Sequence, residues 1–182
     1  MHRPGVRIGA LVGLLVTAPL IVVAALGNQL AGLPFFPFDL FPVMRDLTPG
    51  PVLTFVIDSM VAIIGALNLG RVDTAAKTAE QAMVILMSLG AGIVTGGVFF
   101  LLMRGLQASQ SPTAGLVLGL LAGALVALLS SQTGLTATAD PAASTLWTLF
   151  LFAVWGLALG WCYARLTFFD QSAAPSLRRA EE

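Results

Sequence analysis

Residues 83–103 read MVILMSLGAGIVTGGVFFLLM, an apolar run that meets no charge until Arg104 closes it. A bilayer core of about 30 Å takes roughly 20 residues of helix to cross, so this stretch by itself predicts a transmembrane helix. The rest of the chain is written for the same solvent. Hydrophobic residues make up 57% of the 182 and charged residues 10%, with a mean hydropathy of +0.92. A soluble domain carries about 25% charged residues, so the deficit is a lipid signature.

Working outward, three more runs have the required length. Ile8 to Leu26 follows Arg3 and Arg7, Thr113 to Leu129 is set off by Ser111-Pro112, and Ala143 to Ala164 stops at Arg165. Pro19 lies inside the first run, which a transmembrane helix tolerates. A cleavable leader is the competing reading of that run, with small residues at Val23-Ala24-Ala25. Its apolar length exceeds the usual 7–15 residues of such a leader, roughly speaking, which favours a retained anchor.

The composition excludes several classes of chemistry. Nine Lys/Arg balance nine Asp/Glu, so no basic excess points to nucleic acid. Cys162 is the sole cysteine and His2 the sole histidine. One cysteine makes no intrachain disulfide, thiolate zinc site or iron–sulfur cluster, and a haem with two axial histidines from this chain is impossible. Cys162 reads as small packing material inside an apolar helix. No nucleophile–base pair, metal cluster or phosphate-binding glycine loop occurs, so no catalytic residue, bound cofactor or metal is expected of this chain, and it is not expected to be an enzyme.

A fifth apolar stretch, Pro51 to Leu69, is arbitrated by charge. Thr54, Asp58, Ala62 and Gly65 form a narrow polar or small stripe along one helical face. With four spans and a cytoplasmic N-terminus, Arg3, Arg7, Arg104, Arg165, Arg178 and Arg179 lie inside, against Arg45, Arg71 and Lys77 outside. Making 51–69 a fifth span would reverse that balance, and the positive-inside rule prefers four. The expected fold is therefore an all-α membrane protein: four transmembrane helices plus an interfacial amphipathic helix between the first and second. Residues 1–170 form one helical membrane domain with an interfacial segment over 33–72, and 171–182 form a polar tail. Both termini are expected to be cytoplasmic.

The segment LPFFPFDLFPVMRDLTPGP at 33–51 fits that scheme as an irregular stretch at the outer headgroup boundary. Its prolines break helix continuity, and irregular backbone does not face the hydrocarbon core. Phe35, Phe36, Phe38 and Phe41 enter the acyl layer or pack on the bundle, while Asp39, Arg45 and Asp46 meet water. This segment is the expected docking surface. Thr48-Pro49-Gly50-Pro51 reads as a turn and helix start. The second spanning helix begins before the membrane with Asp73 as its N-cap and Lys77 and Glu80 on its first turns. Asp58 and Glu80 are the intramembrane polar candidates, placed near span ends where hydration explains them.

Small residues recur at every fourth position: Gly9 and Gly13, Gly92 and Gly96, Gly115, Gly119 and Gly123, Gly156 and Gly160. This spacing lets helices approach closely in lipid. Packing within one bundle suffices to explain it, with a homodimer face as the alternative. Trp147 and Trp161 lie near the two ends of the last span, as interfacial belts do.

Residues 27–70, GNQLAGLPFFPFDLFPVMRDLTPGPVLTFVIDSMVAIIGALNLG, followed by DTAAKTAEQAM at 73–83, resemble the N-terminal membrane region of bacterial molybdopterin-dependent oxidoreductases of the sulfite oxidase type. The carriers are the block Pro34 to Phe41, the segment Pro49 to Asp58, Ala66 to Gly70 and Ala75 to Ala82. The last two spans match only in hydropathy. In that family a soluble domain follows and binds the molybdenum cofactor through a cysteine thiolate. No such domain lies within these residues, and Cys162, inside a span, does not take the ligand's place. The resemblance thus implies a non-catalytic membrane anchor or assembly subunit, with molybdopterin confined to a partner or a domain outside this chain. Its partners would be membrane lipid and a redox protein or neighbouring membrane subunits. A small transporter or channel, with Asp58, Glu80 and Asn28 lining a path, is the alternative from a different class.

Overall fold

The computed structural model describes residues 5–47, 49–51, 54, 55, 58, 59, 62, 72–105, 112–133 and 135–178, apart from the side chains of 44, 47, 72–80 and 169–178. Five helices account for most of them: α1 (Val6–Ala31), α2 (Phe36–Leu47), α3 (Val72–Gly105), α4 (Thr113–Thr133) and α5 (Pro141–Arg178). No strand occurs among the described residues. Among the described residues, four segments are long and apolar enough to cross a membrane: Val6–Ala31, Gln81–Gly105, Thr113–Thr133 and Pro141–Phe168. Helix is the form such sequences take in lipid, because it satisfies every backbone donor and acceptor within the segment.

The bundle is two tight antiparallel pairs. In the first, Gly9 and Gly13 of α1 lie against Gly92 and Gly96 of α3, and a Cβ added at Gly96 would stand 2.6 Å from the Cα of Gly13. In the second, Gly115 and Gly119 of α4 face Gly156 and Gly160 of α5; a Cβ at Gly156 would stand 2.7 Å from the Cα of Gly119. Ordinary contact starts near 3.4 Å, so any side chain at these positions would push the helix axes apart. The glycine spacing is thus used inside the bundle. Close backbone approach supplies the dispersion contacts that hold helices together where lipid gives no hydrophobic incentive.

Larger side chains join the two pairs. Phe99 and Phe100 of α3 meet Tyr163 of α5, the Phe100 and Tyr163 rings nearly perpendicular at 5.1 Å. Trp155 of α5 donates its indole N–H to Thr17 Oγ1 on α1 at 3.0 Å. Both residues are buried, so Trp155 is an internal strut while Trp161 is exposed, with the Arg165 guanidinium 5.3 Å from its ring. Cys162 is half-buried in α5. Outward faces carry Leu11, Leu15, Leu86, Leu121 and Leu146, all exposed, as lipid-facing surface requires.

Several expectations need correction. Residues 36–47 form a helix despite Pro37 and Pro42. Pro37 sits in the first turn, where a backbone N–H has no helical partner to lose, and the phenylalanines on the bundle side hold the helix in place. Phe35 and Phe36 belong to the buried core, and Phe36 meets the ring of Phe152 edge-on at 5.2 Å. Phe38 and Phe41 are half-buried, with Phe35 and Phe38 in ring contact at 5.3 Å. Asp39, expected in water, is 1% exposed; Arg45 and Asp46 do reach water and pair with each other at 3.1 Å. The first span runs on to Ala31, where Gly32 at φ 62° forms a left-handed cap with its N–H on the Asn28 carbonyl at 3.0 Å. The third helix is described from Val72 onward, so Asp73 is already within it and not at the cap.

Of the 51–69 stretch, Pro51, Thr54, Phe55, Asp58, Ser59 and Ala62 are described and helical, and all but Ser59 are exposed. Gly65, the last residue of the proposed stripe, lies outside the described residues, as does the Glu80 side chain.

Candidate functional site

The polar groups of the fold converge at one end of the bundle, where the link after α1 meets the link between α4 and α5. Thr136 is the hub. Its backbone N–H and its hydroxyl both donate to Asp39 Oδ1, at 3.1 and 2.8 Å. The same hydroxyl accepts from the Phe35 N–H at 2.8 Å. Asn28, from the last turns of α1, donates to the Thr136 carbonyl at 3.0 Å and the Leu33 carbonyl at 2.7 Å. The Gly32 carbonyl accepts from Thr138 and Ala139 N–H at 2.9 and 3.0 Å. Each loop thus satisfies backbone groups of the other, which is the condition for burying irregular chain.

Local sequence explains why these groups meet. Gly32 ends α1 and turns the chain so that Pro34 and Phe35 fold back over the bundle. Asp140 begins α5: its Oδ2 accepts the N–H groups of Ala142 and Ala143 at 3.0 and 3.3 Å, with Pro141 at the first helical position. Between these two fixed points the short Leu135–Ala139 segment has little choice but to cross the start of α2.

Asp39 is held in tension between two effects. Burial pushes its carboxyl above the usual aspartate range, and the two bonds from Thr136 pull it back without cancelling the shift. Asp39 is one of the residues around a cavity of about 230 Å³, with Pro34, Ser130, Ser144, Thr145 and Thr148, but it is itself only 1% exposed. Among the described residues, the hydroxyls of Ser130 and Ser144 are buried without a hydrogen-bond partner. Thr145 and Thr148 instead donate to backbone carbonyls of their own helix, Pro141 at 2.9 Å and Ser144 at 3.0 Å.

The expected docking residues divide between core and surface: Phe35, Phe36 and Asp39 are interior, Phe38 and Phe41 half-buried, Arg45 exposed. The three residues named for a transport path are described only in part. Asn28 is engaged in the loop junction, Asp58 is exposed, and Glu80 lies in α3 with its side chain outside the description. Among the described residues no group of three His, Cys, Asp or Glu side chains is positioned to hold a metal. Sequence reasoning missed Thr136, Ser130 and Ser144. The run T-A-T-A-D-P at 136–141, an N-cap signal behind two threonines, is the pattern that marks where the second loop is pinned. Neither models of protein families, nor curated proteins, nor solved structures match this chain.

Proposed function

We propose that the chain is a non-catalytic integral membrane anchor or assembly subunit for a membrane redox complex, with a molybdopterin-type oxidoreductase as the partner that the resemblance of residues 27–83 implies. The carrying observation is the loop junction itself: Asp39, Thr136 and Asn28 fix α2 across the end of a glycine-locked bundle. A rigid end surface with the exposed Arg45–Asp46 pair is what a docking subunit needs, because a preorganised face loses little entropy on binding. The distribution of Lys and Arg favours an arrangement with this end outside and both termini in the cytoplasm of a bacterial inner membrane.

The test is purification of the tagged chain from native membranes in mild detergent, followed by molybdenum and pterin assay of the eluate. Molybdopterin should co-purify in near-stoichiometric amount and fall when Arg45→Glu reverses the charge on the docking face. Chain that elutes free of molybdopterin and of any reproducible redox partner would remove the anchor reading.

A further inference from the structure

The four spanning segments contain three charged residues, Arg7, Arg104 and Arg165. All three are basic, and all three stand at one end of the bundle. Val6 sits against Gly97, and Phe99 and Phe100 meet Tyr163, so the start of α1, the close of α3 and the last turns of α5 share that end. Residues 106–112, the link from α3 to α4, add no charge of either sign. An end with this balance attracts anions, and at a bilayer surface the abundant anions are lipid phosphates.

Arg165 has a setting of its own. Phe150, Val154, Leu157, Trp161 and Phe168 are exposed and follow one face of α5 at helical spacing. Arg165, also exposed, falls on the same row between Trp161 and Phe168. It is therefore bedded in lipid-facing surface, with apolar groups on both sides along the helix. Its guanidinium carbon lies 5.3 Å from the Trp161 ring centroid. Trp161 is one turn further into the span, so this stacking draws the guanidinium inward along the helix. Among the described residues Arg165 makes no hydrogen bond or ion pair. A guanidinium that lies over a ring engages its face, while its five N–H donors point outward in its plane. Stacking thus fixes the fork without using its donors. Phosphate oxygens are the acceptors that suit such a fork bidentately, and the headgroup level is where an indole settles.

The geometry points to Trp161 and Arg165 as a binding site for the phosphate of an anionic phospholipid in the leaflet at this end. The lipid is anionic overall because the basic end formed with Arg7 and Arg104 repels the ammonium of a zwitterionic head group. It is a lipid and not free phosphate because Trp161 and Phe168 offer apolar surface that only an acyl chain can use.

The experiment uses the purified full chain in detergent and reads bound lipid by native mass spectrometry, with phosphatidylglycerol competed against phosphatidylcholine of the same acyl chains. One basic residue near the surface corresponds to about fivefold in affinity for an anionic lipid. Phosphatidylglycerol should therefore be retained at least about fivefold over phosphatidylcholine, and Arg165→Gln should lower that ratio about fivefold. Arg165→Lys, which keeps the charge without the planar fork, should fall between the two, and Trp161→Leu, which keeps apolar surface without the ring, should also lower the ratio. Both positions are exposed, so the variants should keep the parent's thermal midpoint. Arg7→Gln should lower the ratio less than Arg165→Gln. Equal retention of the two lipids overturns the proposal, as does a ratio that survives in folded Arg165→Gln. Equal falls in Arg7→Gln and Arg165→Gln overturn it as well, because total charge would then account for the binding. Displacement of phosphatidylglycerol by millimolar inorganic phosphate overturns the lipid as occupant.

Discussion

Replacing Thr136 with valine removes one hydroxyl from the loop junction and leaves the shape nearly unchanged. That hydroxyl makes two bonds of 2.8 Å, one given to Asp39 and one taken from the Phe35 N–H. Losing a hydrogen bond to an ionisable carboxyl costs about 1.5–3 kcal/mol, and stranding a buried N–H adds about 1–3 kcal/mol. Phe35 is buried, so no water rescues its N–H. The backbone bond from Thr136 to Asp39 at 3.1 Å survives, which keeps the total nearer about 3–4 kcal/mol. For a chain of this size each kcal/mol moves the midpoint by about 2–4 °C, so Thr136→Val should unfold of order 10 °C earlier. Thr136→Ser retains both bonds and should lose less than half as much. The assay is thermal unfolding of detergent-purified chain followed by tryptophan fluorescence, since Trp147 and Trp155 report on α5. A double-mutant cycle with Asp39→Asn should give a coupling of about 0.5–3 kcal/mol. A valine variant within about 2 °C of the parent, a change of at most about 1 kcal/mol, would refute the hub role assigned to this hydroxyl.

Three further outcomes follow from the same geometry. Gly13→Val or Gly119→Val puts a side chain into the backbone of the facing helix, and overpacking of this kind should cost about 1–3 kcal/mol, read as unfolding at lower SDS mole fraction; an unchanged titration would mean that the seam is not where it has been drawn. Trp155→Phe and Thr17→Val should each lose about 0.6–1.7 kcal/mol, the range for interhelical hydrogen bonds in lipid, and the double variant should be little worse than either single one. Asp39 governs a pH dependence: because burial raises its folded carboxyl above the ordinary 3.8, the folded state holds the proton more tightly than the unfolded chain. That contribution is fully present below the unfolded value and lost as pH rises through the raised one. Midpoints should therefore fall across that window, with a shallower slope in Asp39→Asn; equal slopes would deny Asp39 the role.

The spanning helices were legible because length and hydropathy decide them with little help from tertiary structure. The glycine spacings were legible too, since a small residue at every fourth position has few uses in lipid other than close packing. What could not be read was the fate of Asp39. Next to Arg45 and Asp46 in sequence it looks like one more interfacial charge, and its burial depends on Thr136, nearly a hundred residues away. Likewise Phe36–Leu47 reads as broken because proline rules are local, whereas the helix persists because its phenylalanines have a core to enter. Trp155 was legible as an aromatic in a span, but its bond to Thr17 joins two helices whose adjacency no single segment encodes.

The two glycine seams have different histories on the ribosome. The α4–α5 seam joins neighbours in the chain, so it can close as soon as α5 enters the bilayer. The α1–α3 seam joins helices separated by all of α2 and the stretch up to residue 72, so α1 must wait in the membrane with Gly9 and Gly13 uncovered until Gly92 and Gly96 have been synthesised. A chain interrupted before α3 is complete therefore leaves Gly9 and Gly13 without the partners against which they pack in the fold.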